Sequence, residues 1–180
     1  MRPVTVLGIV VTFLSVAANH ASAQEQVIDV SAGYSLVLGS ADREQLHGVI
    51  GSFAGYRGPI GLVLEGGTNL GKGNPLRADL DLVYGSVGTR YVFSRRARVS
   101  PFVQGLIGVV TGAGGANEPR GEVFWNWIEL GGGADVWRGR NIGIRFGADY
   151  LVSLSGSRYN KVRAQLGLAF KHKYLPRRHK

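Results

Sequence analysis

The sequence predicts an all-β protein, an eight-stranded antiparallel up-and-down barrel that crosses a membrane. Three observations carry this. Apolar residues recur with a two-residue period from Val27 onward, not at the 3.6 spacing of a helix. Short turns alternate with longer, more flexible connections along the chain. The parity opposite the apolar one is glycine, small residues and isolated charges, not the Lys, Glu and Thr of a wet sheet surface.

The strands justify themselves in order. In the first, Ile28, Val30, Ala32, Tyr34 and Leu36 share one face and Asp29, Ser31, Gly33 and Ser35 the other. The second, about 46 to 56, cannot be phased, because Gly48, Gly51 and Gly55 leave either parity open and a slip of one residue exchanges the faces. The third, about 60 to 68, sets Ile60, Leu62 and Leu64 against Gly61, Val63, Glu65 and Gly67. In the fourth, about 79 to 93, Leu80, Leu82 and Tyr84 have one parity and Val87, Tyr91 and Phe93 the other, which predicts a bulge near Gly85-Ser86. The fifth, about 99 to 111, carries Val99, Val103, Ile107 and Val109 opposite Gln104, and the sixth covers about 123 to 137. The seventh alternates Ile142, Ile144, Phe146, Ala148, Tyr150 and Val152 with Gly143, Arg145, Gly147 and Asp149. The eighth alternates Val162, Ala164, Leu166, Leu168 and Phe170 with Arg163, Gln165, Gly167 and Ala169.

Residues 1–23 read as a cleaved secretory signal peptide: Arg2 is the basic start, Val4 to Ala18 the apolar stretch, and Ala21-Ser22-Ala23 the cleavage site. The expected organisation is then a barrel over 24–170 and a basic tail over 171–180. The chain of 180 residues has the size of a single domain, and with no Cys it excludes disulfide staples, thiol nucleophiles and Cys-ligated metal sites. Loss of Arg2 lowers the net charge from +9 to +8.

Glycines and sparse charges of both signs suit the cramped lumen of an eight-stranded barrel. The expectation is a lumenal ion-pair network of Glu65, Arg90, Glu129, Asp135, Arg145, Asp149 and Arg163, a structural plug without cofactor or metal. The apolar parity then faces lipid, where a closed barrel leaves no backbone donor unpaired. An aromatic belt is expected from Phe93, Trp137 and Phe170 at the short-turn end and Trp125, Trp127 and Tyr159 at the loop end. The opposite assignment of faces describes a secreted lipocalin-like barrel with an apolar ligand cavity.

The run Leu130 to Val136, Ile144-Arg145, Ala148-Asp149-Tyr150 and Val162 to Phe170 resembles the small outer-membrane β-barrel family, OmpA-like and OmpX-like. So do Gly58-Pro59-Ile60-Gly61 leading to Glu65, and Gly88-Thr89-Arg90-Tyr91 leading to Pro101-Phe102. The resemblance covers roughly Val27 to Phe170 and concerns architecture, not activity. It implies both termini in the periplasm and a last strand read by the outer-membrane assembly machinery. Members usually stop at the terminal aromatic, whereas this chain continues for ten residues, five of them Lys or Arg. Either the insertion signal works internally or the barrel is made inefficiently.

Some barrels of this size modify lipid A, so a nucleophile is worth seeking. No Ser stands two residues from His47, which reads as a solvated rim residue. Asp79 and Asp81, with Glu44 or Asp42, read as solvated acids and not as a cation site. The runs Gly112 to Gly115 and Gly131 to Gly133 lack the Lys and the helix of a phosphate loop.

Basic residues cluster instead. Arg57, Arg95, Arg96, Arg98, Arg138 and Arg140 lie on short turns, the expected periplasmic rim, and Lys171, Lys173, Arg177, Arg178 and Lys180 on the tail. That rim is expected to meet outer-membrane lipids, with peptidoglycan as the weaker partner for the tail. Nucleic acid is excluded for an exported chain with no groove-reading element.

Overall fold

The computed structural model describes residues 26–39, 45–71, 81–112, 123–154 and 160–174. Eight antiparallel strands follow one another around a closed barrel: β1 (Gln26–Gly39), β2 (Gln45–Arg57), β3 (Ile60–Gly71), β4 (Asp81–Val92), β5 (Val99–Gly112), β6 (Val123–Trp137), β7 (Ile142–Ser153) and β8 (Lys161–Tyr174). Closure comes from β1 pairing with β8, from Gln26 opposite Tyr174 to Gly39 opposite Lys161. Every strand thus has two partners, and no edge is left open.

The short turns and both ends of the described chain lie at one mouth of the barrel. Gly58 takes φ of 61° at the first position of a two-residue hairpin, the left-handed geometry that such turns need and that glycine adopts without a Cβ clash. Pro59 follows it, fixed in φ and without an N–H to donate, while its carbonyl accepts the Val92 N–H at 2.8 Å. Gly139, with φ of 97°, does the same service between β6 and β7. Backbone bonds tie these turns to their neighbours: Trp137 N–H donates to the Arg98 carbonyl at 2.8 Å and Lys171 N–H to the Asn141 carbonyl at 2.9 Å.

The two faces part cleanly. Among the described residues, 28 large hydrophobic side chains are exposed on the outer wall, against 15 buried hydrophobic residues inside. No Asp, Glu, Lys or Arg described there lies on the outer face between the strand ends. An outer coat on that scale, largely apolar and without a charged side chain between the strand ends, is far beyond the patches that a soluble monomer exposes.

Several expectations change. The pairing of β4 with β3 and β5 runs without interruption through Gly85 and Ser86, so the bulge is absent and Tyr84 points inward. What looked like a parity break is an aromatic residue on the interior face. β2 is phased with Leu46, Ile50, Ser52, Ala54 and Tyr56 inside and Val49 and Phe53 outside. Trp137 and Trp127 leave the proposed belt as well: Trp137 is buried and Trp127 packs against the interior cluster. Each indole has an interior hydroxyl to bond, as a buried N–H requires. Phe93 and Phe170 do project outward, at 62% and 45% exposure. The side chain of Trp125 and all of Tyr159 lie outside the described residues, as do residues 1–23, Asp42, Glu44, Asp79, the Asp81 side chain and residues 175–180. β8 continues to Tyr174, so Lys171 and Lys173 belong to the barrel wall and Phe170 is not the last residue of the strand.

Candidate functional site: the lumenal side chains and a basic mouth

Alternation sends every second side chain inward, and an eight-stranded lumen has room for side chains only. Two apolar clusters and two ionic knots fill it. At the loop end Val37, Leu46, Ile50, Tyr84, Val110 and Leu151 pack with Trp127. Ala54, Tyr56, Val63, Val92, Phe102 and Leu106 form the second cluster, toward the short turns.

The upper knot centres on Arg163 of β8, which is fully buried. Its Nη2 pairs with Glu65, with Glu129 and, at 2.9 Å, with Asp149 Oδ2. Three carboxylates around one guanidinium leave lone pairs to satisfy, and amide donors meet part of that demand. Gln104 Nε2 donates to Asp149 Oδ1 at 2.9 Å, and Gln165 Nε2 to Asp149 Oδ2 at 3.0 Å. The face of Tyr84 covers the guanidinium at 5.2 Å.

The lower knot centres on Arg145 of β7. It holds Asp135 through two parallel bonds, 2.7 Å from Nε and 2.8 Å from Nη2, the fork geometry that guanidinium and carboxylate share. Nη2 also reaches Asp29 at 2.8 Å, while Nη1 donates to Ser31 at 3.0 Å and Ser52 at 3.1 Å. β7 is thereby cross-linked to β1, β2 and β6 through one side chain.

Arg90 departs from the expected ion-pair network. It is buried, but its Nε donates to Gln104 Oε1 at 2.9 Å and its guanidinium lies 4.5 Å from the Phe102 ring centre. Its two terminal nitrogens have no hydrogen-bond partner among the described residues. An aromatic face takes the place of a carboxylate there.

Glycines make the space. A Cβ on Gly131 would overlap the Asp149 carboxylate, one on Gly133 would come within 2.9 Å of the Phe102 ring, and one on Gly143 within 2.8 Å of Trp137. On β6, Gly131 thus leaves room for the Asp149 carboxylate of the upper knot and Gly133 for the Phe102 ring, while Gly143 on β7 leaves room for Trp137.

At the short-turn mouth Arg57, Arg96, Arg98, Arg138 and Arg140 are exposed. Arg95 is only half-exposed, for it turns in over the Tyr56 ring at 3.9 Å and donates to the Gly58 carbonyl at 2.9 Å. Lys171 lies 3.9 Å over Trp137, whose Nε1–H donates to Ser100 Oγ at 2.9 Å. These two stacks close the mouth from below.

Sequence reasoning did not single out Asn69, whose Nδ2 donates to Ser35 Oγ at 2.7 Å, or the Ser31–Ser52 pair at 2.7 Å. Small polar residues on the inward parity were the available signal. His47 is exposed and bonded to the Tyr34 hydroxyl, with no serine between them.

No sequence family matches the chain, and no curated protein does. Solved structures do. The N-terminal β-barrel domain of Pseudomonas aeruginosa OprF superposes with a TM-score of 0.61 at 17% identity, covering 84% of this chain and 100% of that one. Neisserial surface protein A gives 0.63 at 13% identity, over 82% and 97%. The outer-membrane enzyme PagL gives 0.51 at 15% identity, over 79% and 97%. The closed eight-strand meander, its apolar coat and these superpositions agree: the chain has the fold of the small outer-membrane β-barrels, OmpA-like and OmpX-like in architecture.

Proposed function

We propose that the chain is an integral outer-membrane barrel with a blocked lumen and no catalytic role, serving cell-envelope structure or surface contact through its loops. The observation that carries this is the inversion of faces: ionic knots inside, a largely apolar wall outside with no charged side chain between the strand ends. A soluble lipocalin-like barrel needs the reverse, with an apolar cavity where Arg145 and Arg163 are buried here. Proteins of outer-membrane origin with the same architecture support that location, and the lipids of that membrane and its assembly machinery are the expected partners.

The enzymatic reading draws on PagL, an outer-membrane enzyme of the same fold. Hydrolysis of an acyl ester needs a nucleophile within hydrogen-bond reach of a base. His47 faces the Tyr34 hydroxyl, and the buried acids are engaged by Arg145, Arg163 and the glutamine amides. That arrangement favours the structural role.

Fractionation of expressing cells tests the proposal. The protein is expected in the outer-membrane pellet, migrating differently in boiled and unboiled samples, with the acyl content of lipid A unchanged by mass spectrometry. Recovery as a soluble protein without a mobility shift would overturn the membrane assignment. A change in lipid A acylation would overturn the non-catalytic one.

A further inference from the structure

The short-turn mouth holds an open bowl of about 740 Å³, within the roughly 300–1,000 Å³ of small-molecule sites. Seven of its eleven lining residues are Arg or Lys and none is acidic. Its floor is built: the Lys171 ammonium on the Trp137 ring, and that indole bonded to Ser100. Its walls come from three elements, the β4–β5 turn with Arg96 and Arg98, the β6–β7 turn with Arg138 and Arg140, and the end of β8 with Lys173. Backbone bonds from Trp137 to Arg98 and from Lys171 to Asn141 hold the three together. So many like charges converging on one concavity repel one another, and a bound anion relieves that repulsion.

We propose that this bowl binds the phosphate of anionic phospholipid headgroups, as a specific site on the barrel. The inference rests on the membrane-barrel reading above. Guanidinium forks match the paired oxygens of a phosphodiester, and four arginines stand exposed around the bowl. The lipid source follows from what adjoins the cations. Phe93, Val99 and Ile142, exposed on the outer wall at 62%, 46% and 50%, lie within two residues of Arg95, Arg98 and Arg140. A lipid whose acyl chains lie along those three residues carries its phosphate to the lip of the bowl. A free phosphate makes no use of that apolar continuity.

The test uses the full-length folded protein in neutral detergent, titrated with short-chain phosphatidylglycerol, phosphatidylcholine, glycerol phosphate and inorganic phosphate. Binding is read from quenching of tryptophan fluorescence and from the temperature at which the unboiled band is lost. Saturable binding of phosphatidylglycerol is expected, at least tenfold tighter than the other three. The combined variant Arg98→Gln/Arg138→Gln/Arg140→Gln is expected to lose at least tenfold of that affinity while still migrating as a folded barrel. If it does not fold, Arg140→Gln alone, on an exposed turn, is expected to weaken binding at least twofold. Equal binding of phosphatidylcholine, or unchanged phosphatidylglycerol affinity in the folded variants, would overturn the site while leaving the barrel intact. Inorganic phosphate competing at equal concentration would overturn the lipid source. A wild-type protein without any heat-dependent shift would overturn the barrel reading and this site with it.

Discussion

Arg145 and Arg90 are both buried arginines in one lumen, yet their surroundings differ in kind. Arg145 pairs with two carboxylates and donates to two hydroxyls, so its removal strands Asp29 and Asp135 as unpaired buried charges. Breaking a buried pair from one side costs about 3–5 kcal/mol, more than the intact pair contributes, because the remaining ion has lost its water and its partner. Arg145→Met is therefore expected to lower barrel stability by about 3–5 kcal/mol. Arg90→Met, which strands no carboxylate, is expected to cost clearly less. Urea titration of the folded, faster- or slower-migrating band measures both, and equal losses would refute the assignment of ion pairing to Arg145. The seven lumenal residues were legible as inward charges because a two-residue period fixes parity locally. Which carboxylate meets which arginine was not legible, since Asp29 and Arg145 stand 116 residues apart and meet only across the closed barrel.

At the scale of the strand, β3 and β4 show how faces are assigned. β3 reads directly, with Leu62 and Leu64 outward and Val63 and Glu65 inward. β4 misleads, because Tyr84 is apolar enough for the wall but belongs inside, its ring 5.4 Å from Trp127, whose Nε1–H donates to Ser86 Oγ at 3.1 Å. Packing of the Tyr84 ring between the Trp127 indole and the Arg163 guanidinium, 5.2 Å from its centre, decides the matter in favour of the lumen. The outward assignment makes a depth-dependent prediction. Leu64→Arg, near the middle of β3, is expected to cost about 2–4 kcal/mol, whereas Leu70→Arg near the loop end costs about 0–1 kcal/mol. Unfolding of the two variants in lipid vesicles measures the difference; equal, negligible costs would mean that this wall faces water.

For the whole molecule, the loop-end cluster, the two knots and the stacked mouth fill the lumen at successive levels. A water-filled path needs a polar, unobstructed bore, which in barrels belongs to strand numbers of about 16 and above. Planar-bilayer recording of the folded protein is accordingly expected to show no discrete conductance steps. Regular steps at neutral pH would show that the knots part, and would replace the structural reading with a channel. The basic mouth belongs to the same scale, since its cations come from elements far apart in sequence.

The order of strands, their approximate bounds, the faces of β1, β3, β5, β7 and β8 and the one-sided gathering of arginine on short turns were all determined by the sequence itself. The reason is that alternation and turn chemistry are local, acting over two to four residues. Tertiary structure alone decided the phase of β2, where glycines remove the signal, and the inward turn of Tyr84, Trp127 and Trp137. It also decided the substitution of Phe102 for a carboxylate beside Arg90 and the docking of Arg95 and Lys171 on aromatic rings. Those outcomes depend on which side chains face one another once the sheet has closed, and on the room that glycines such as Gly131 and Gly143 leave in a lumen only a few side chains wide.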